Sequence, residues 1–408
     1  MLFKIIQTVF SKGISSFFNL LSILIVTNYL GASGRGEMVI LLLALTMVGV
    51  FQSVLSGAAL TYMVPRYPID FLTQVTTAWI VLSSISISVV LGVFYLFPLH
   101  DLMHLIFLSI FSGLIGFHQN LLLGFEKITQ QNVIEIIKAI SLTGALLVSI
   151  LIFKLSLVYV FIVSYYISFG ITFLVSFTFC LPYFSKSLLF VRINKTDLLF
   201  YFKIGMQMQI NNIIQMLNYR FCFYLIEKKI GVSALGIFSV ATSIMETIWI
   251  FCKSVSIVYY SKSVNLGQLN KNIQLTLKLS FLNMIITLLT IGIVFLLPNS
   301  FYLHIFGDDF YAIKSLFISL FPGVLFLACF TIFNYHFSSI NKNAINIYGS
   351  LIGAVLIVLV SFLFIDTMGM HAAGMATSIG YFGMTCYLIA RFFNMYNLKV
   401  KDVIQYLK

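Results

Sequence analysis

The chain has 408 residues, of which 60% are hydrophobic and only 9% charged, with a net charge of +12 and a mean hydropathy of +1.05. Soluble globular chains carry about a quarter charged residues, so this composition excludes a soluble domain and indicates a polytopic membrane protein. The basic excess has to be read from where the lysines and arginines fall rather than from their sum.

Lys4 and Lys12 precede an apolar run that ends near the small residues Ala32, Ser33 and Gly34, the outline of a secretory signal. Asn19 and Asn28 interrupt that run and another apolar stretch follows at once, so it reads as a first transmembrane helix rather than a cleaved leader. With about 20 apolar residues per crossing, twelve spans are expected, centred near Leu21, Thr46, Ser84, Gly113, Gly144, Gly170, Ile214, Met245, Ile286, Phe326, Leu356 and Tyr381. The longest connections, between Pro182 and Tyr201 and between Tyr260 and Leu275, are basic, and none is long enough to fold as a separate domain. If the N-terminus is cytoplasmic, the far side collects only Arg35, Lys154, Lys228, Lys229 and Lys314. Arg220 stays in the membrane, and the remaining basic residues, Lys138 and Lys253 among them, fall on the cytoplasmic side. That bias places both termini inside. Basic loops facing an anionic leaflet account for the charge without any nucleic acid.

The chain echoes itself. Leu30 to Gly36 reads LGASGRG and Ile230 to Gly236 reads IGVSALG, matching Gly31 with Gly231, Ser33 with Ser233 and Gly36 with Gly236. Each follows a polar-studded span and precedes the next, in one case between helices 1 and 2 and in the other between helices 7 and 8. An even number of helices per repeat gives two halves of parallel orientation. The expected fold is therefore all-α, an integral membrane protein of twelve transmembrane helices in two six-helix lobes forming a parallel pseudo-repeat. The expected boundaries are 1–184 for the first lobe, 185–200 for a cytoplasmic linker and 201–408 for the second lobe.

The stretch from Tyr201 to Tyr260 holds the clearly mid-span opposite charges, Arg220 and Glu246. At 100° per residue, Gln209, Asn212 and Met216 share the arginine's side of helix 7. Ser239, Thr242, Trp249 and Lys253 recur at three- and four-residue spacing with Glu246. A charge at mid-span costs about 2.5 to 3.5 kcal/mol on insertion scales, so both are expected to point inward, toward each other or a wet cavity. The first lobe shows no mid-span ionised residue of its own. Glu246 is the candidate coupling group, and the alternative for the pair is a structural ion pair joining two helices. Lys12, early in helix 1, and Lys253, late in helix 8, complete a graded basic path if helices 1, 7 and 8 border one cleft. Such a path suits an anionic headgroup such as a pyrophosphate, against snorkelling to the interface as the alternative for each lysine. Trp249, and Tyr219 and Tyr224 beside Arg220, offer flat faces to sugar rings, with ordinary packing as the alternative.

Other signals carry less. His100 and His104, with Asp101 between them, have metal-ligand spacing but lack a third ligand and read as a solvated loop. His118, His304, His336 and His371 are isolated, and the five cysteines show no CxxC spacing and read as small packed or lipid-facing residues. Gly349 and Gly353 form a GxxxG in helix 11 suited to close internal packing. No nucleophile, nucleotide or metal signature appears, so neither enzyme chemistry nor a cofactor is expected.

LGASGRGEM and IGVSALGIFS after helices 1 and 7, HIFGDDFYAIKSLFISLFPG leading into helix 10, and GMHAAGMATSIGYF opening helix 12 together resemble the Wzx-type O-antigen flippases. These belong to the multidrug/oligosaccharidyl-lipid/polysaccharide exporter superfamily. The resemblance covers essentially the whole chain, with loose motifs. It implies a V-shaped bundle of two six-helix lobes in the bacterial cytoplasmic (inner) membrane. Such a bundle would move an undecaprenyl-pyrophosphate-linked oligosaccharide, an O-antigen or similar repeat unit of lipopolysaccharide biosynthesis, from the cytoplasmic to the periplasmic leaflet by alternating access. It also implies a basic lumen, which Arg220, Lys253 and Lys12 would supply, membrane lipids and other polysaccharide assembly proteins as partners, and a monomer. The lone mid-span acid departs from cation-coupled drug antiporters of the MATE type, which stay as one alternative. A membrane polymerase or glycosyltransferase is another, which lacks here the extramembrane catalytic loop it needs.

Overall fold

The computed structural model describes residues 2–94, 97–98, 101–152, 157–184, 194–265, 269–340, 342–399 and 401. Its helices are α1 Leu2–Ser56, α2 Ala58–Met63, α3 Ile69–Val93, α4 Leu102–Gly124, α5 Ile128–Leu151, α6 Leu157–Cys180, α7 Lys195–Lys229, α8 Val232–Asn265, α9 Leu269–Leu296, α10 Asn299–Phe306, α11 Ile313–Ser339, α12 Asn343–Met368 and α13 Met370–Tyr396. No strand occurs among the described residues, and the all-α integral membrane fold of two six-helix lobes stands.

Gly31 is where the first two spans part. At about 1.5 Å per residue, the 55 residues of α1 would run about 80 Å, against a hydrocarbon core of about 30 Å. At Gly31 the backbone leaves the helical region (φ 66°, ψ −166°), a conformation that only glycine adopts without strain. The expected turn is thus a one-residue kink at Gly31, where two helices meet within α1. Its counterpart Gly231, between α7 and α8, also has a positive φ of 121°. Counting α1 as two crossings and leaving aside the short α2 and α10, the long helices match the expected spans one for one. Nine stretches among the described residues are both long and apolar enough to cross a membrane, one of them the 54-residue run Phe10–Met63. α7 and α13 have the length, at 35 and 27 residues, but polar and small residues dilute their apolarity.

The chain divides into two compact units, Met1–Ile213 and Ile214–Lys408. The division falls inside α7, not in the basic stretch before Tyr201, whose residues 185–193 lie outside the described residues. The physical reason is contact. The Tyr201 hydroxyl donates to the Leu55 carbonyl and meets Thr76 Oγ1 at 3.2 Å, and Gln209 Nε2 donates to the Val50 carbonyl at 2.9 Å. A Cβ on Gly205 would sit 2.1 Å from the Val54 carbonyl oxygen, so only glycine lets α7 lie this close to the end of α1.

In the first unit, Leu60, Leu72, Ile80, Leu105, Leu108, Leu121, Leu122, Ile134 and Leu146 are fully buried in one cluster. Lipid tails are as apolar as leucine, so this cluster gives little drive for helices to associate, and polar interlocks carry specificity. Gln52 Nε2 joins α1 to α3 and α4, donating to Ser84 Oγ at 2.8 Å and to the Ser109 carbonyl at 2.9 Å. Ser22 with Thr143 (2.8 Å) joins α1 to α5, and Ser164 with Ser149 (3.0 Å) joins α5 to α6.

In the second unit α11 is the central helix, 72% buried in its most apolar window against 22% for α9 and α12. Phe317, Ile332 and Phe337 of α11 are fully buried. α12 and α13 approach through glycines. A Cβ on Gly380 would stand 2.4 Å from Ile357, and one on Gly353 would stand 3.3 Å from the Gly380 carbonyl, so the GxxxG of Gly349 and Gly353 serves packing on α13. Four of the cysteines are buried singly and Cys386 is exposed.

Candidate functional site

Arg220 is the twenty-sixth residue of α7 and Glu246 the fifteenth of α8, so both stand well inside their helices. Gly231 turns α7 back into α8, which brings them together: Arg220 Nη1 lies 3.1 Å from Glu246 Oε1. The contact is single rather than a two-pronged fork, and the side chains stay 32% and 43% exposed. A guanidinium presents five N–H donors, and one meets the carboxylate. Its carbon also lies 5.1 Å from the Phe223 ring centroid, so an aromatic face supports the cation from a second side.

Trp249 sits one turn beyond Glu246 in α8. Its Nε1 donates to Thr331 Oγ1 of α11 at 2.9 Å, which fixes the indole. Tyr219 packs against it at 5.8 Å and also meets Tyr381 of α13 at 6.0 Å, edge to face. The Lys253 ammonium lies 5.2 Å from the centre of the Trp249 ring, so one indole face carries a cation. Lys253 is itself exposed. Ser239 and Thr242, expected on the Glu246 face, turn their hydroxyls to the α8 backbone.

The remaining expected site residues lie in the first unit. Gln209 is buried and bonds the Val50 carbonyl, and Asn212, exposed, donates to Gln209 Oε1 at 3.0 Å. Lys12 is exposed on α1. The structure therefore groups Arg220, Glu246, Trp249 and Lys253, with Thr331, Tyr219 and Tyr381 as members that the sequence did not put forward as a set. Thr331 and Tyr381 are distant in sequence and ordinary in type, and only the closure of α11 and α13 on α8 and α7 reveals them. His104 Nδ1 faces the Tyr166 hydroxyl at 3.2 Å, while His100 and Lys154 lie outside the described residues.

Two expectations for the first unit need correction. It does hold ionised residues within its spans: Glu135 and Lys138 sit on the second and third turns of α5, well past its start at Ile128. Arg35, assigned to a far-side loop, is 5% exposed within α1, with Nη1 3.5 Å from Met38 Sδ. Assigning each cation to the nearest loop fails here because a one-residue kink at Gly31 is all that separates the first two helices and because α5 begins immediately after Lys127.

No protein family matches the sequence, and no curated protein is similar to it. Solved structures are similar in fold. A lipid II flippase MurJ in an inward closed conformation superposes with a TM-score of 0.76 at 15% identity, covering 100% of this chain and 90% of that one. A multidrug resistance MATE family transporter of the MOP superfamily, inward-facing, gives 0.72 at 12% identity over 95% and 96%. An outward-facing MATE transporter gives 0.58 at 14% identity over 97% and 96%. At these identities the likeness concerns architecture, and the architecture of this chain is the one shared by MATE transporters and the MurJ lipid II flippase.

Proposed function

We propose that this chain is a flippase for a lipid-linked oligosaccharide, carrying an undecaprenyl-pyrophosphate-linked repeat unit from the cytoplasmic to the periplasmic leaflet of the bacterial inner membrane by alternating access. The reading places both termini in the cytoplasm and rests on a monomer. Its main support is the Arg220–Glu246 pair, a permanent cation held within the span by a single contact and left about one third exposed. An arginine serving only structure is better satisfied by a forked, closed contact, because its desolvation has to be offset. Four donors not taken by Glu246 can engage a pyrophosphate in the forked geometry that guanidinium favours. Lys253 adds a second cation one indole away. Lys12, Gln209 and Asn212 are assigned to the same substrate path, and Trp249 to the glycan.

Glu246 is the coupling group in this reading. It holds Arg220 when substrate is absent and yields it to the headgroup, so that its protonation and substrate binding compete for one arginine. A cation-coupled exporter of amphipathic small molecules, like the MATE proteins of the same fold, is the second reading, and the partly open Glu246 carboxylate favours it.

The test is complementation of a strain lacking its own flippase, scored as polysaccharide displayed at the surface per unit of protein in the membrane. Arg220→Gln is expected to lower display at least about tenfold, as loss of a charge-assisted contact predicts. Glu246→Gln is expected to retain display but lose its dependence on the transmembrane pH gradient. Full display by Arg220→Gln contradicts the flippase mechanism, and unchanged gradient dependence in Glu246→Gln removes the coupling role.

A further inference from the structure

The first unit contains a charged group that the proposed function does not use. Lys138 lies ten residues past the start of α5, about 15 Å along the helix, which is half of a hydrocarbon core of about 30 Å. The helix shows two open sides. One carries Ile140 and Gly144, both exposed, as expected of a lipid-facing side. On the opposite side Gln131, Glu135, Lys138 and Leu142 follow one another at four-, three- and four-residue steps, a single stripe. All four are half-buried, and the stripe continues into Ala145 and Ser149, which are buried. On this side α5 is half-buried along its first half and buried from Ala145 onward.

Along that stripe the two charges are neighbours but do not close an ion pair. Glu135 Oε1 accepts from Gln131 Nε2 at 2.9 Å. Lys138 Nζ lies 5.1 Å from the centre of the Phe169 ring on α6, and no carboxylate oxygen among the described residues lies within 4 Å of it. Its backbone is held, since the Lys138 carbonyl accepts from Ser141 Oγ at 3.2 Å and Ser168 Oγ at 3.1 Å. An ammonium has three donors and no acceptor capacity, and a phenyl face satisfies its charge but none of its hydrogen bonds. A charged side chain inside an apolar span, opposite the Ile140 and Gly144 side and with no carboxylate in ion-pair contact, is the kind of group that serves a ligand path.

We propose that the Gln131–Glu135–Lys138 stripe of α5 is an anion-binding station of the first unit, in which Lys138 takes a phosphate-type anion and Glu135 acts as the resident competitor that keeps the binding reversible. The ammonium swings from the Phe169 face to two or three phosphate oxygens. Glu135, one turn away on the same stripe, repels the incoming anion when ionised and sets its release. The inference deepens the flippase reading by giving the pyrophosphate headgroup a contact in the first unit. Its test is independent of Arg220.

The probe is inorganic pyrophosphate, titrated calorimetrically into the full-length protein in nanodiscs of zwitterionic lipid, with sulfate at matched ionic strength as the control for screening. Wild type is expected to bind, Lys138→Gln to bind about tenfold more weakly, Lys138→Arg to stay within about threefold, and Glu135→Gln to bind more tightly than wild type. Arg220→Gln runs in parallel. Loss on Arg220→Gln with wild-type affinity in Lys138→Gln overturns the station and leaves the Arg220 reading intact, and the reverse result leaves the station and removes Arg220. Nanodiscs containing phosphatidylglycerol separate the sources: competition with pyrophosphate assigns the station to phospholipid headgroups, and its absence assigns it to the transported headgroup. Absence of pyrophosphate binding by wild type, or weaker binding by Glu135→Gln, overturns the proposal. Because Glu135→Gln is expected to gain affinity, it answers even if Lys138→Gln fails to fold.

Discussion

The two units are built on one plan and charged on different ones. Each opens with a pair of helices parted at a glycine of positive φ, Gly31 in the first and Gly231 in the second. Each has a buried histidine on its fourth span that bonds a hydroxyl of its sixth. His118 of α4 meets Ser176 of α6 at 2.8 Å, and His336 of α11 meets Tyr396 of α13 at 3.0 Å. The charges break the correspondence. The second unit pairs Arg220 with Glu246 across α7 and α8, whereas the first keeps Glu135 and Lys138 on one helix without closing an ion pair between them. A repeat thus preserves the backbone breaks and interhelical locks that the fold needs, while the ionised residues differ between the units.

The histidine locks give the largest expected effects on stability. His336 is fully buried, and its Nδ1 also faces Tyr259 and Thr276 at 2.8 and 3.0 Å, whereas His118 has Ser176 as its one side-chain partner among the described residues and otherwise lies among Phe117, Phe173, Phe177 and Phe184. His336→Ala is expected to destabilise by about 3 to 4 kcal/mol, from a cavity plus the loss of its contacts with three hydroxyls, and His118→Ala by about 2 kcal/mol. Thermal unfolding of the purified protein in detergent reads the difference. Equal shifts mean that the two locks are energetically equivalent, and the contrast between the units is then confined to the ion pairs.

Next come the glycine breaks. Nothing lies within 4 Å of a Cβ placed on Gly231, so Gly231→Ala isolates the backbone strain of a positive φ, about 1 to 3 kcal/mol. Gly31→Ala is expected to cost as much, since its ψ of −166° puts it in a region that only glycine tolerates. Gly49→Ala is the control, a helical glycine with open space around it, and is expected to be neutral or to stabilise by up to about 1 kcal/mol. A destabilised Gly49→Ala would show that the assay reads something other than backbone conformation. The smallest effect belongs to Thr331→Val, which takes the acceptor from Trp249 Nε1 and is expected to lower stability by about 1 kcal/mol. It is expected to weaken glycan transport more than unfolding, and a shift in stability alone would make Trp249 a packing residue.

Much of this was open to sequence reasoning. The spans follow from apolar run length, the repeat from LGASGRG and IGVSALG, and the pairing of Arg220 with Glu246 from the cost of leaving either charge alone in lipid. What escaped has identifiable causes. Hydropathy does not show that the first two helices meet at a kink of one residue, Gly31, because such a break leaves no polar loop behind. The first half of α7 packs in the first unit through Tyr201, Gly205 and Gln209, whose partners Leu55, Val54 and Val50 offer backbone carbonyls that carry no signature in side-chain pattern. Lys138 counts with the cytoplasmic side because orientation rules assign charge by nearest helix end, and α5 starts at Ile128, two residues after the positive φ of 58° at Glu126, which no composition rule detects.

The central claim, that Arg220 serves the substrate and not only Glu246, is tested most directly by removing both charges together. If the arginine only neutralised the glutamate, each single change would leave a buried charge unpaired and the double change would restore much of what either loses. Surface polysaccharide, normalised to membrane-inserted protein, is measured for Arg220→Gln, Glu246→Gln, the double variant and Arg220→Lys. The account predicts an inactive double variant that inserts and folds normally, with Arg220→Lys partly active because it keeps the charge and loses the fork. Recovery of display in the double variant would contradict it.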